Sequence, residues 1–437
     1  MKVYPEYKDS GTPWLGKVPV HWEILRNKNE LFPKANHIGD NPNNLPLLSL
    51  TKKGIIMRNL TSGKGKFSSD ERKFLIVEPG DFVFCHYDIQ ETPRTIGLSS
   101  LLGYITGSYN VYGYRGKNRR FFYYLHECFD DGKLLCPLYK GLRNTIQQDR
   151  FLSMRICLPP EEEREAIVAY LDKKCAEIDE LISRRHAIIE RLKELKQSII
   201  VSAVTRGLDP DVPMKDSGIP WLGKIPTHWK TQKFTSKFRL GKGLSITKAD
   251  LRKSGARVIN YGQIHSRMNN GVDVNNVGIC YVDSCYIEAF PKALVHLNDI
   301  LFADTSEDIK GIGNCVRISC NTVFFAGYHT IIASNKVKGN TKYEAYLFQS
   351  ENWRNQLRMK SNGVKVFSIS KKNLRQCYLI NPPEGEKEQI VTYLDNKCAE
   401  IDALVARQEQ IIEKLKELKV STIAHVVTGK VDVRDAI

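Results

Sequence analysis

Lys8-Asp9-Ser10-Gly11-Thr12-Pro13-Trp14-Leu15-Gly16-Lys17-Val18-Pro19-Val20-His21-Trp22 is written a second time, as Lys215-Asp216-Ser217-Gly218-Ile219-Pro220-Trp221-Leu222-Gly223-Lys224-Ile225-Pro226-Thr227-His228-Trp229, 207 positions later. A second block, Tyr170-Leu171-Asp172-Lys173-Lys174-Cys175-Ala176-Glu177-Ile178-Asp179, returns as Tyr393-Leu394-Asp395-Asn396-Lys397-Cys398-Ala399-Glu400-Ile401-Asp402 at an offset of 223. Between them, Glu78-Pro79-Gly80-Asp81-Phe82-Val83-Phe84 reads as a turn feeding a buried strand. Leu297-Asn298-Asp299-Ile300-Leu301-Phe302 is its counterpart at an offset of 218. Offsets that climb along the chain describe one long unit written twice, with small insertions inside a kept frame. Such repetition is read before any local signal. Its divergent interiors are loops, where recognition usually lives.

The repeated Y-L-D-x-K-C-A-E-I-D block sits near the start of a helix in each copy. Pro159-Pro160 and Pro382-Pro383 precede the starts, and Glu161, Glu162 and Glu163, or Glu384 and Glu386, fill the first turns. Acidic residues there suit the positive end of the helix dipole. Apolar residues follow at alternating spacings of three and four: Leu171, Cys175, Ile178, Ile182, Ile189 and Leu192. Leu394, Cys398, Ile401, Val405, Ile412 and Leu415 match them, each displaced by 223. This pattern predicts a coiled-coil-like seam, broken where Arg185 and Gln408 fall. About 40 residues at 1.5 Å each make a rod of roughly 60 Å. Gly207 and Gly429 mark the ends.

Four segments result. Residues 1–160 and 207–383 are globular, with aromatic and β-branched residues broken by Gly, Pro and Asn. Residues 161–206 form a central helix, and residues 384–437 a second helix, reaching about residue 425, with its tail. The fold class expected is α+β: two strand-rich globular domains separated by two long antiparallel helices with an internal pseudo-two-fold repeat. The tail past Thr428-Gly429 is short, which leaves open how it meets the first globular domain.

The formal charge of +16 is unevenly spread. Residues 161–206 sum to −1 and residues 384–420 to −3, so the remainder carries +20. Positive charge therefore sits in the globular parts and favours a polyanionic partner. No apolar run approaches the roughly 20 residues that span a bilayer. The start, Met1-Lys2-Val3-Tyr4-Pro5-Glu6, lacks the apolar stretch of a signal peptide. The eleven cysteines are odd in number and include no C-x-x-C pair, which reads as reduced thiols in a cytoplasmic protein.

The doubled K-D-S-G-x-P-W-L-G-x-x-P-x-H-W, the G/N-D-x-x-F turn and the P-P-E-x-E-x-x-x-I helix starts resemble the specificity subunits of type I restriction-modification enzymes, in order and twice over. The resemblance implies two target-recognition domains, each reading one half of a split DNA sequence, with the helices fixing the gap between halves. It implies no catalysis and no cofactor in this chain. Two adenine methyltransferase subunits, with S-adenosylmethionine as their cofactor, would dock on it, and motor-nuclease (restriction) subunits would join for cleavage. Double-stranded DNA is the remaining partner. Rival readings are a coiled-coil scaffold that binds DNA without sequence preference, and a self-contained enzyme. The enzyme would need a cofactor loop or metal cluster that the sequence lacks.

Other motifs read as structure. Trp14, Trp22, Trp221 and Trp229 are alike in both halves, whereas readers of different sequences should differ, so they anchor each domain's lead-in segment. Asn381-Pro382-Pro383-Glu384 mimics the base-holding element of adenine methyltransferases, but an acid replaces the aromatic ring, and it reads as a helix start. Cys280, Cys285, Cys315 and Cys320 have spacing unlike common zinc knuckles. Glu194-Leu195-Lys196 and Glu417-Leu418-Lys419 are helical charge pairs, and Glu71-Arg72-Lys73 lacks an acidic partner. Gly63-Lys64-Gly65-Lys66 and Gly241-Lys242-Gly243 are basic turns.

DNA readers are expected among basic and amide residues on loops that differ between halves. The first half offers Lys52, Lys53, Arg58, Lys64, Lys66, Arg94, Arg119 and Arg120. The second offers Lys242, Arg252, Lys253, Gln263, Arg267, Asn269, Asn270 and Lys310. Tyr87, in His86-Tyr87-Asp88, and Thr305 and Ser306, after Asp304, lie on the loops that follow the turn strands.

Overall fold

The computed structural model describes residues 2–37, 45–58, 74–219, 222–337, 339–363 and 366–436. The chain divides into two compact units, Met1–His186 with Glu409–Ile437, and Ala187–Gln408. Their boundary falls inside both long helices, so each unit holds the start of one helix and the end of the other. The helices run Glu161–Arg206 and Glu384–Val427, the second reaching two residues past the sequence expectation.

The apolar stripes explain why helix ends belong to globular bodies. In the first unit Ile167, Leu171 and Cys175 from the first helix share a core with Ile423, Val426 and Val427 from the second. In the second unit Ile390, Leu394 and Cys398 from the second helix share a core with Ile200, Ala203 and Val204 from the first. Within each unit, then, the start of one helix packs beside the end of the other, an antiparallel pairing. The predicted seam shows one burial pattern in both copies. Leu171, Cys175, Ile178 and Ile189 are buried, as are Leu394, Cys398, Ile401 and Ile412. Ile182, Leu192, Val405 and Leu415 are half-buried, and so are Arg185 and Gln408 at the breaks. Lys419 bonds Asp179 at 2.7 Å, and Lys196 bonds Asp402 at 2.7 Å, the same exchange in each unit.

The repeated H-W dipeptide clasps both helix ends. Trp22 donates its indole N–H to Glu163 at 2.9 Å, and His21 Nε2 lies 2.7 Å from the same carboxylate. Gly429, just past the other helix, is so close that a Cβ there would lie 2.3 Å from Pro19 and 3.2 Å from Trp22. Its φ of +71° also calls for glycine. In the second unit Trp229 and His228 both reach Glu386 at 2.9 Å, and Gly207 (φ +81°) sits beside Trp229. Trp22 and Trp229 are fully buried. Trp14 donates to the Arg155 carbonyl at 3.0 Å, so it too is an anchor. Trp221 lies outside the described residues.

A four-stranded antiparallel sheet completes the frame. In the first unit its order is Leu31–Lys34, Asn110–Tyr114, Phe82–Phe84, Ile96–Leu98. The second unit repeats that order with Phe238–Lys242, Thr330–Asn335, Ile300–Ala303 and Cys315–Arg317. The turn feeding the central strand is the predicted one. The buried Asp81 accepts the Glu78 N–H at 2.9 Å, and the buried Asp299 accepts the His296 N–H at 2.9 Å. Gly80 (φ +93°) and Asn298 (φ +69°) precede them in left-handed conformation, which is why Gly and Asn interchange here. A second strand pair, Glu23–Arg26 with Arg155–Leu158, leads into the first helix, and Lys230–Lys233 with Tyr378–Asn381 leads into the second. Asn381-Pro382-Pro383 is accordingly a strand end and helix entry.

Outside the frame the units differ. The first carries a hairpin, Leu48–Thr51 with Gly54–Met57, and a pair, Leu75–Val77 with Gly103–Ile105. They enclose a small core of Leu48, Ile55, Leu75, Val77 and Ile105 with sheet residues Val83 and Val111. The second carries a four-stranded sheet in the order Cys280–Val282, Ala256–Ile259, Phe324–Ala326, Leu294–Val295, whose central pair is parallel. The chain's tail closes on the first unit. The Asp432 N–H bonds the Lys2 carbonyl at 2.9 Å, Val433 is in the core, and the Arg434 guanidinium lies 5.3 Å from the Tyr4 ring centre.

Candidate nucleic-acid interface

Exposed cations lie on the divergent lobes of both units. Lys52 and Lys53 form the exposed turn of the first unit's hairpin, with Arg58 just beyond it, half-buried. Lys242, Lys253, Arg267 and Lys310 of the second unit are exposed. Among the described residues no side chain pairs with these four or with Lys52 and Lys53. Arg252 is exposed at the edge of the second unit's added sheet and donates to the Ala249 carbonyl at 3.0 Å. Arg119 is exposed and stacks over Tyr114 at 5.9 Å. Lys64 and Lys66, like Glu71-Arg72-Lys73, lie outside the described residues.

Several residues chosen by type turn out to hold the scaffold. Arg94 is enclosed by Glu127 (3.3 Å), Asp130 (3.5 Å) and Asp131 (3.0 Å). Arg120 bonds Asp172 at 2.9 Å beside Tyr124, and Lys342 bonds Asp395 at 2.6 Å beside Tyr346 in the other unit. A contact present in both copies belongs to the frame. The Asn269 amide is spent on the Ile264 and Cys315 carbonyls and the Gly271 N–H. Asn270 caps the Val272 and Asp273 N–H groups. Gln263 caps Asn260 and donates to the Cys280 sulfur at 3.0 Å. Ser306 is buried, with its hydroxyl on the Asp308 carbonyl at 2.7 Å. These residues shape loops.

In the second unit the loop after the turn strand forms one wall of a groove of about 500 Å³, lined by Tyr261, His265, Ser306, Asp308, Lys310 and Asn314 among others. Gly311 lets the wall approach, since a Cβ there would lie 2.4 Å from Ser306 Oγ. A polar chain holds the floor. Arg354 donates to Asn314 Oδ1 at 2.7 Å, and Asn314 Nδ2 lies 3.0 Å from His265 Nδ1. His265 Nε2 lies 2.7 Å from the Thr305 carbonyl. The carbonyl can only accept, so His265 carries its proton on Nε2 and accepts from Asn314 on Nδ1. Burial draws the Arg354 guanidinium below its ordinary pKa. Tyr261 lies 5.7 Å from the Tyr328 ring and 5.4 Å from the His329 ring. Lys310 supplies a cation, Asp308 an acceptor and the tyrosines flat faces. This combination suits phosphate, base edges and stacked bases.

In the first unit the equivalent loop is Cys85–Asp88. The Asp88 N–H bonds the Arg143 carbonyl at 2.8 Å, and the Arg143 guanidinium covers the exposed Tyr87 ring at 5.5 Å. Tyr261, His265, Asn314 and Arg354 in the second unit, and Arg143 in the first, escaped the sequence reading, because each meets its partners from segments far apart in the chain.

Residues 226–417 match the family described as type I restriction modification DNA specificity domain. Among solved structures, a chain from a study of complex assembly and conformational transition of the type I R-M system superposes with a TM-score of 0.66 at 15% identity, covering 95% of this chain and 99% of that one. The HsdS subunit from Thermoanaerobacter tengcongensis is 16% identical, with a TM-score of 0.48 over 95% of this chain and 98% of that one. No curated protein matches. No helix among the described residues is long and apolar enough to cross a membrane. A repeated frame around unlike lobes, with the second copy matching that family, leads to one conclusion: residues 226–417 are similar to the type I restriction modification DNA specificity domain, within a chain whose fold resembles that of a chain from a type I R-M system.

Proposed function

We propose that this chain is the DNA-sequence specificity subunit of a type I restriction-modification complex. The observation that carries the reading is the frame built twice around dissimilar lobes, each with exposed cations. One frame holds two readers, and two different readers address a split, asymmetric target. The side chains of the lobes read bases and phosphates, and the long helices set the number of unread base pairs between the halves. The chain performs no chemistry. Two methyltransferase subunits, which use S-adenosylmethionine, and restriction subunits assemble on it in the cytoplasm.

Base readout falls to exposed groups on the lobes and at the groove, while phosphate contacts position them. Lys52→Ala with Lys53→Ala, or Arg252→Ala with Lys253→Ala, should weaken binding to all duplexes alike. Each pair should lower the slope of log K against log salt by about 2, the loss of two phosphate contacts. Titrations of labelled duplexes at several salt concentrations check this. An unchanged slope for both pairs would remove these cations from the interface. Native mass measurement of the complex co-purified with its methyltransferase should give two methyltransferase chains per copy of this chain. A coiled-coil scaffold would instead show affinity independent of base sequence.

A further inference from the structure

His329 has a left-handed backbone conformation, φ +54°, at the turn between the strands Phe324–Ala326 and Thr330–Asn335. Glycine would occupy this region without strain. The turn is pinned on both sides. The Gly327 N–H bonds the Ile259 carbonyl at 2.8 Å, the Tyr328 N–H bonds Asn260 Oδ1 at 3.2 Å, and the His329 carbonyl takes the Asp304 N–H at 3.0 Å. Ala303 pairs with Thr330, and Ile259 with Ala326. This register brings the turn, the loop that begins at Asp304 and Tyr261 to one end of the second unit's two sheets. The imidazole there is held but not covered. Nδ1 lies 3.1 Å from Asp304 Oδ1, and Tyr261 and Tyr328 flank the ring edge to face at 5.4 and 6.0 Å. Yet 54% of the side chain is exposed.

An ionised carboxylate only accepts, so Nδ1 carries the proton and the neutral ring presents Nε2 as an acceptor. Nε2 has no partner among the described residues. The charges around it narrow what it can meet. The groove that Tyr261 lines contributes Glu307, Asp308 and Lys310. Asp304 lies against the ring, and Lys242 ends the neighbouring strand opposite Ile331. Arg354 and Arg358, with Glu351, are spent behind the loop, the arginines on the Lys310 and Ile309 carbonyls. Three carboxylates against two ammonium groups do not draw a phosphate to this spot. The carboxylates and Nε2 are acceptors, and what fits them is a donor. On DNA, the donors within reach in the major groove are the exocyclic amines of adenine and cytosine.

We propose that His329 is a specificity-determining residue of the second unit, accepting through Nε2 a hydrogen bond from the amino group of one adenine or cytosine in its half-site. Asp304 fixes the tautomer, and the pinned turn fixes the ring's place. This rests on the DNA-reading function proposed above, and adds which kind of base edge one side chain reads.

The chain in complex with its methyltransferase subunits is titrated with duplexes carrying the motif that the unaltered complex modifies. Each adenine other than the modified ones is replaced in turn by purine, and each cytosine by 2-pyrimidinone, bases that lack the amino group. At the base read by His329 the replacement should weaken the unaltered complex about tenfold and the His329→Gly complex by less than about twofold. Comparing the two complexes cancels any weakening of the duplex itself. Mapped across a genome, His329→Gly should modify sites in which that one base pair has changed. Glycine relieves the turn, so its melting temperature should stay within about 4 °C of the unaltered chain's. His329→Asn, whose shorter side chain also accepts the left-handed region, should give the same loss of discrimination. Equal sensitivity of the unaltered and His329→Gly complexes at every position would overturn the proposal. So would a larger fall in melting temperature in both variants, which would make the histidine a structural residue. An unaltered complex that modifies no split motif would overturn the functional reading itself, and is a distinct result.

Discussion

Glu163→Ala should cost the first unit about 3–5 kcal/mol, the usual penalty for removing one partner from a buried charged network. Glu163 is buried and collects three groups: the Tyr4 hydroxyl at 2.6 Å, the Trp22 indole at 2.9 Å and His21 at 2.7 Å. Removing it strands two buried donors and loosens the start of the first long helix from Trp22. Glu386→Ala is the internal control. That carboxylate has a quarter of its side-chain surface exposed, and it holds Trp229 and His228 without a tyrosine equivalent to Tyr4. Water can reach the groups left behind, so the cost should be about 1–2 kcal/mol. Urea unfolding of each variant, followed by tryptophan fluorescence, measures both. Equal costs would mean that burial is not what makes the first clasp strong.

Acid should destabilise the first unit selectively. His126 is wholly buried, with Nε2 3.1 Å from Asn27 Oδ1, and burial pulls its imidazole down to about 3. His86, buried with Nε2 3.0 Å from the Tyr112 hydroxyl, is pulled down to about 4. Both folded values lie below the unfolded value near 6.5, so the unfolded chain binds protons first as pH falls. Stability is therefore full above pH 6.5 and declines below it, by about 1.4 kcal/mol per pH unit for each histidine until its folded pKa is reached. Between pH 7.5 and 5 the two together should cost about 4 kcal/mol. No described histidine of the second unit is buried. Unfolding midpoints at pH 7.5 and 5 should separate into an acid-sensitive and an acid-tolerant transition, and His126→Phe should flatten roughly half of the slope. A single transition with the same midpoint at both pH values would contradict the assignment.

The frame was legible because its signals are local or repeated. Proline pairs and acidic first turns fixed both helix starts. The three-and-four spacing of Leu171 through Leu192 fixed the buried stripe, and identity across the halves marked Trp22 and Trp229 as anchors. The reading surface was legible only in part. Residue type singles out Asn269, Asn270, Gln263 and Ser306 as polar loop residues, yet it does not say whether an amide or hydroxyl faces a ligand or caps its own backbone. Here backbone capping takes them. Arg94 shows the same limit, since its three carboxylates arrive from a helix more than 30 positions away. Strand order and the His265–Asn314–Arg354 chain depend on long-range pairing, which spacing does not encode. The unlike lobes share no sequence to compare.

Mapping modified adenines across a genome in which the chain is co-expressed with its methyltransferase tests the central claim most directly. The account expects one split, asymmetric motif with a fixed gap. Replacing residues 244–326, the divergent part of the second unit, by the corresponding part of another such chain should change one half of that motif and leave the other half and the gap intact. A continuous motif, a change in both halves, or no modification with an active methyltransferase would contradict it.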